Sequence, residues 1–154
     1  MVKNNSFSKV KFDSDLAQGK DAEHYVCNFL NRWFPTAFVF DGKNKGYDID
    51  IPEKEEQMEV KYDRLSKDTG NLAIEYECRG KPSGIEVTTS QRWCIIFGKD
   101  DGWFFAFVEV PLLKAICQGK RTVSGGDGYL SKMYLLPVTE LIEHPFVKVH
   151  PLVK

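Results

Sequence analysis

The sequence predicts an α+β (mixed α/β) domain with a central, mostly antiparallel or mixed sheet and flanking helices. Three observations carry this. One long amphipathic helical stretch comes first. A series of short alternating or apolar runs, separated by turn residues, follows it. Shorter helical stretches come among and after the later runs. A chain of 154 residues fits a single domain, 1–154, with one core. Residues 1–12 are polar and basic and are expected to be loosely held.

The helix is expected over Asp13 to Trp33, with Asp13 or Ser14 as its cap and Pro35 beyond its end. Leu16, Ala22, Val26, Phe29 and Trp33 share one apolar face, and Gly19 weakens the first turns. Ala37–Phe40 is a short apolar run. Asp41-Gly42 and Asn44–Gly46 supply turn chemistry. Tyr47–Ile51 and Gln57–Tyr62 both alternate, and the short Pro52–Glu56 link allows an antiparallel hairpin. Leu72–Cys78 is another strand, Arg79–Gly84 a loop, and Thr88–Gln91 the start of a short helix. Arg92–Gly98 and Trp103–Val110 form a hairpin around Lys99–Gly102. Pro111–Gln118 is a short helix closed by Gly119. Ser124–Gly128 is a glycine-rich loop, followed by a strand near Met133–Leu136 and a helix near Val138–Glu143.

Composition excludes several classes. No apolar run approaches the about 20 residues needed to span a bilayer, and the first residues have no signal-peptide core, so a cytoplasmic protein (host cytoplasm if phage-encoded) is expected. The four cysteines, Cys27, Cys78, Cys94 and Cys117, are widely spaced. They read as reduced core thiols rather than a zinc site. The formal net charge of −1 gives no basic surplus and argues weakly against a nucleic-acid partner. Ser124-Gly125-Gly126-Asp127-Gly128 lacks the lysine of a phosphate-binding loop and reads as a surface loop. His24, His144 and His150 are scattered and receive no catalytic role.

The chemistry concentrates in the two alternating strands. Asp48 and Asp50 lie on one face of the first; Gln57, Glu59 and Lys61 lie on one face of the second. If the strands pair, these faces coincide. Carboxylates meeting at a sheet end suit a hard divalent cation, Mg²⁺ or Mn²⁺, and the Val60 carbonyl can add an oxygen. Such an ion polarises a phosphate oxygen, and the Lys61 ammonium beside it can stabilise developing charge. The bland alternative is a cross-strand salt bridge, worth less than about 1 kcal/mol. Asp50 takes the place of Asp48 if the register slips by two.

Asp48 followed by Glu59-Val60-Lys61 resembles the PD-(D/E)XK nuclease superfamily, in which an Asp precedes Glu-X-Lys on the next strand. Glu23, within Gly19-Lys20-Asp21-Ala22-Glu23, is similarly placed to the helical glutamate of many members, including archaeal Holliday-junction resolvases. Gly46-Tyr47-Asp48-Ile49-Asp50 looks like phage-type and resolvase-type members, with Tyr47 where the nominal Pro would stand. The likeness spans roughly residues 15–100 by element order. It implies a restriction-endonuclease-like core and Mg²⁺- or Mn²⁺-dependent cleavage of DNA, branched or linear. It further implies Glu23, Asp48, Glu59 and the Val60 carbonyl around the metal, with Lys61 assisting. Resolvase-like relatives are dimers, so a homodimer is also implied.

The resemblance implies Thr88 or Gln91 as contacts to the DNA backbone, and Arg64, Arg79, Lys81 and Ser83 are candidate substrate contacts, provided the Leu72–Cys78 strand neighbours the Glu59 strand. Lys67 and Arg92 would join them. A scattered charged surface is the alternative, and a helix cap is the bland role for Thr88. The Trp93–Phe107 hairpin is heavily aromatic, and Phe104 and Phe105 face opposite sides, so one face is expected to be covered by helices or by a second subunit. Two competing readings are a catalytically silent nucleic-acid- or protein-binding module on the same fold, and a structural subunit of a larger assembly.

Overall fold

The computed structural model describes residues 20–41 and 46–152. The domain is α+β, as its element order predicts. The strands are β1 (Phe38–Val39), β2 (Ile49–Ile51), β3 (Glu56–Asp63), β4 (Asn71–Cys78), β5 (Lys81–Pro82), β6 (Arg92–Lys99), β7 (Gly102–Glu109), β8 (Thr122–Gly125), β9 (Ser131–Pro137) and β10 (Lys148–Pro151). The helices are α1 (Lys20–Leu30), α2 (Ser66–Thr69), α3 (Val110–Cys117) and α4 (Val138–Ile142). Among the described residues, no helix is long and apolar enough to cross a membrane.

The strands form two sheets instead of the single sheet expected. A mixed six-stranded sheet runs β1-β2-β3-β6-β7-β10, and a four-stranded sheet runs β5-β4-β9-β8. The predicted β2–β3 hairpin is present, with Ile49 opposite Met58 and Asp50 opposite Gln57. β3 then pairs with β6 in parallel. Parallel neighbours need a long crossover, and here α2, β4 and β5 supply it. The strand at Leu72–Cys78 therefore leaves the Glu59 sheet and pairs with β9. The condition placed on the basic residues fails at the level of strand pairing.

Two cores flank the larger sheet. Ala22, Val26, Cys27 and Leu30 of α1 cover Ile49, Ile51, Met58, Cys94, Ile96 and Phe105. On the opposite face Trp93, Ile95, Phe97, Ala106 and Val108 meet Leu72, Ile74 and Leu136 of the second sheet, with Leu113 and Leu141 from α3 and α4. This explains β6, whose residues 93–98 are all buried. A central strand covered on both faces loses its alternation. It also removes the argument for a dimer drawn from Phe104 and Phe105. Phe105 enters the α1 core and Phe104 packs on the other, so the chain covers both faces itself.

Other departures are local. The helix ends at Leu30, and Trp33 lies beyond it, 57% exposed and against Phe29 at 5.1 Å. The helix cap expected at Asp13 or Ser14, together with Leu16 and Gly19, lies outside the described residues, as do residues 42–45 of the predicted turns. Tyr47 precedes β2, its ring against Phe40 at 5.1 Å. No helix starts at Thr88; a 3-10 turn occupies Gly84–Glu86, and extended chain leads into β6. Ser124 and Gly125 belong to β8 rather than to a loop. The short β10, with exposed Lys148 and Pro151, gave too little alternation to be read.

The four cysteines are free, as expected. Burial pushes the Cys117 thiol up to about 11 and the Cys94 thiol higher still, so both stay protonated and inert.

Candidate functional site

β2 stops one residue short of Asp48, and that early stop builds the centre of the site. Along β3, the amide groups of alternate residues point to opposite neighbours. Gln57 serves the β6 side, its carbonyl accepting from Gln91 N–H at 3.1 Å. Met58 serves the β2 side, its carbonyl accepting from Asp48 N–H at 2.8 Å. Val60 faces the β2 side too, but no strand remains there. The Asp48 carboxylate takes its place and accepts the Val60 N–H through Oδ2 at 2.8 Å. The carbonyl of a strand residue points the same way as its N–H, so the Val60 oxygen opens toward the same gap. This contact also fixes the register: Asp48, not Asp50, holds the position.

Glu23, in the first turn of α1, brings its carboxyl beside Asp48. The side chain is 13% exposed and Oε1 lies 3.1 Å from Lys20 Nζ. That contact is poorly directed, and Oε1 is buried without a hydrogen bond. Burial holds the Glu23 carboxyl above its ordinary value of 4.5, and the Asp48 charge adds to this, opposed by Lys20. Lys20 also donates to the Phe40 carbonyl at 3.1 Å, tying the helix start to β1. A pair of acids, one with a buried oxygen that accepts no hydrogen bond, offers the hard oxygen donors that a divalent cation takes.

Glu59 is engaged by two neighbours. Its Oε2 lies 2.6 Å from Lys61 Nζ, and its Oε1 accepts from Thr88 Oγ1 at 3.0 Å. Among the described residues no group of three or more His, Cys, Asp or Glu side chains is gathered to hold one ion. Glu59 instead orients Lys61, whose ammonium also lies 5.3 Å from the Trp93 ring centre. No family model matches the chain, and no curated protein matches it.

The segment before β6 braces this arrangement. Thr88 Oγ1 accepts from the Trp93 indole N–H at 3.2 Å and from Ser90 N–H at 3.3 Å. Buried Ser90 donates to the Gly46 carbonyl at 2.6 Å. Thr88 thus caps no helix and holds Glu59 in place. Ser90 had no pattern to announce it beyond a run of small hydroxyls before an aromatic strand.

Glu59 and Lys61 open onto a cleft of about 550 Å³ between the two sheets, lined also by Asp63, Arg64, Glu75 and Val87. Arg64 is the one predicted substrate contact that lines it. Arg79 and Lys81 lie outside it, at the exposed β4–β5 turn. Ser83 donates to Glu75 Oε2 at 2.8 Å, and the Gln91 side chain accepts from Gln57 N–H at 2.7 Å. Lys67 sits over Trp103 at 5.8 Å. Arg92 is paired with Glu56 at 2.9 Å and Glu109 at 3.5 Å, so it is neutralised elsewhere. The predicted basic gathering reduces to Lys61 and Arg64.

Asp63 and Gly84 shape the cleft. Asp63 Oδ2 accepts from Ala73 N–H at 2.8 Å, clamping the end of β3 to β4, and burial raises its carboxyl. Gly84 has φ +54, and a Cβ there would meet the Glu75 carbonyl oxygen at 2.2 Å. Gly84→Ala is expected to cost about 1–3 kcal/mol, measured by urea unfolding.

A second expectation concerns pH. A carboxyl raised on folding stabilises the fold below its unfolded value and loses that contribution as pH rises through the folded one. Glu23 and Asp63 both have this sign. Without divalent ions, Glu23→Gln is expected to melt a few degrees higher than the parent at neutral pH and equally at pH 4. Thermal scans across pH check this.

Proposed function

We propose that the chain is a Mg²⁺- or Mn²⁺-dependent nuclease of the PD-(D/E)XK type that hydrolyses DNA phosphodiesters. The observation that carries this is the Glu23–Asp48 acid pair at the broken end of β2, one residue along β3 from the Glu59–Lys61 ion pair. Repelling acids held together by the fold are a cost that a bound cation relieves.

In this reading Glu23, Asp48 and the Val60 carbonyl hold the cation. A bound divalent ion polarises a phosphate oxygen and makes water more acidic. The rest falls to the chain. Asp48 keeps its place through the Val60 amide. Glu59 and Thr88 fix Lys61, whose ammonium meets charge building on the phosphate oxygens. Arg64 binds a neighbouring phosphate from the cleft rim. Water attacks phosphorus, the P–O bond to the leaving sugar oxygen breaks, and that oxygen takes up a proton.

Branched and single-stranded DNA incubated with Mg²⁺, Mn²⁺ or EDTA test this reading. Cleavage is expected with either metal, none with EDTA, and a loss of at least about 100-fold in Lys61→Ala. Full activity in EDTA or in Lys61→Ala overturns it. One observation favours the second reading, a silent nucleic-acid- or protein-binding module: Glu59 is already engaged by Lys61 and Thr88. That reading predicts no cleavage and no rise in melting temperature with millimolar Mg²⁺.

A further inference from the structure

The cleft beside Lys61 is poorly suited to a run of phosphates. Its lining includes three carboxylates, Glu59, Asp63 and Glu75, against two cations, Lys61 and Arg64. Tracking a backbone by charge needs the reverse balance. Its rim instead exposes apolar side chains at a solvation cost: Leu65 is 69% and Val87 50% exposed. The volume, about 550 Å³, is in the range of clefts that enclose a small planar ligand. Glu75 stands in the lining, one oxygen held by Ser83 at 2.8 Å. A carboxylate so fixed is an acceptor suited to an amino group.

We propose that this cleft receives one unpaired nucleotide, its base between Leu65 and Val87, its amino edge toward Glu75, and its phosphate at Lys61 and Arg64. The phosphate placement rests on the nuclease reading; the base site rests on the cleft alone. Apolar flanks cover the faces of any base, whereas Glu75 adds discrimination. Cytosine and adenine carry an exocyclic amine, and thymine does not. An intact duplex keeps its bases stacked and offers none to the cleft. The substrate class is therefore single-stranded, or a strand with an unpaired residue at a fork, flap or end.

Fluorescence anisotropy in EDTA separates binding from cleavage. Labelled single strands of cytosine, adenine or thymine and a blunt duplex are the probes. The full chain is expected to bind the cytosine and adenine strands at least about 10-fold tighter than the duplex, and tighter than the thymine strand. Val87→Glu and Leu65→Glu change exposed positions, so the fold tolerates them, and circular dichroism checks this. Each is expected to abolish the preference for single strands, and Glu75→Gln the preference for cytosine and adenine. Equal binding of strand and duplex overturns the proposal, as does unchanged strand binding in natively folded Val87→Glu. With Mg²⁺ added, cleavage of the labelled single strands at the parent rate by Val87→Glu leaves the nuclease reading standing and removes the base site. Preferential strand binding with no cleavage does the opposite.

Discussion

Asp48→Asn is expected to lower DNA cleavage in Mg²⁺ by more than about 100-fold while leaving the protein folded. The Asn side-chain oxygen can still accept the Val60 N–H that Asp48 now holds at 2.8 Å. The substitution therefore keeps the end of β2 in place and removes only the charge. It also relieves Glu23, whose carboxyl is raised by burial and then by Asp48, so the metal-free variant should melt no lower than the parent. Asp48→Ala is the useful contrast. It leaves the Val60 amide without its acceptor and should lose both activity and roughly 1–3 kcal/mol of stability. Turnover of a branched DNA substrate, with thermal melts in EDTA, separates the two effects. Parent-like cleavage by Asp48→Asn would remove Asp48 from the site.

Phe105→Ala is expected to cost about 3–5 kcal/mol, lowering the melting temperature by roughly 6–20 °C for a domain of this size. Phe105 is 1% exposed. Its ring lies 4.9 Å from Phe29, 5.6 Å from Phe107, 5.8 Å from Tyr25 and 5.4 Å from His150. Truncation leaves a cavity that these rigid rings cannot close. The loss should be present with and without Mg²⁺, because it comes from the cavity rather than from a bound ion. Calorimetry with and without Mg²⁺ checks this, and Phe105→Leu should recover most of the loss.

Local patterns made much of this fold readable. The β2–β3 and β6–β7 hairpins follow from alternation interrupted by turn residues, and α3 follows from Pro111 and Gly119. The second sheet was not readable, because β4 alternates equally well beside β3 or β9; only the tertiary crossover decides. The same ambiguity misplaced Arg79 and Lys81, whose positions depend on which sheet β4 joins. Glu59 and Lys61 were legible as neighbours because a two-residue period places them on one face, and both line the cleft, whereas Asp48 turns to the Val60 amide. The role of Glu59 was not, since its partner Thr88 comes from a segment predicted as a helix start. The acid pair depends on how α1 packs, and helical spacing alone does not reveal whether Glu23 is buried.

The bonds that brace Glu59 also bear on the order of folding. Thr88 reaches back 29 residues to Glu59, and Ser90 reaches back 44 to Gly46. Each such closure must overcome loop entropy before it contributes anything. The β2–β3 and β6–β7 hairpins are local and can form early; the parallel β3–β6 seam cannot. The side-chain knot around Glu59 exists only once that seam has closed. On the proposed nuclease reading, cleavage competence should therefore return in refolding with the slowest structural phase, well behind the first gain in strand signal.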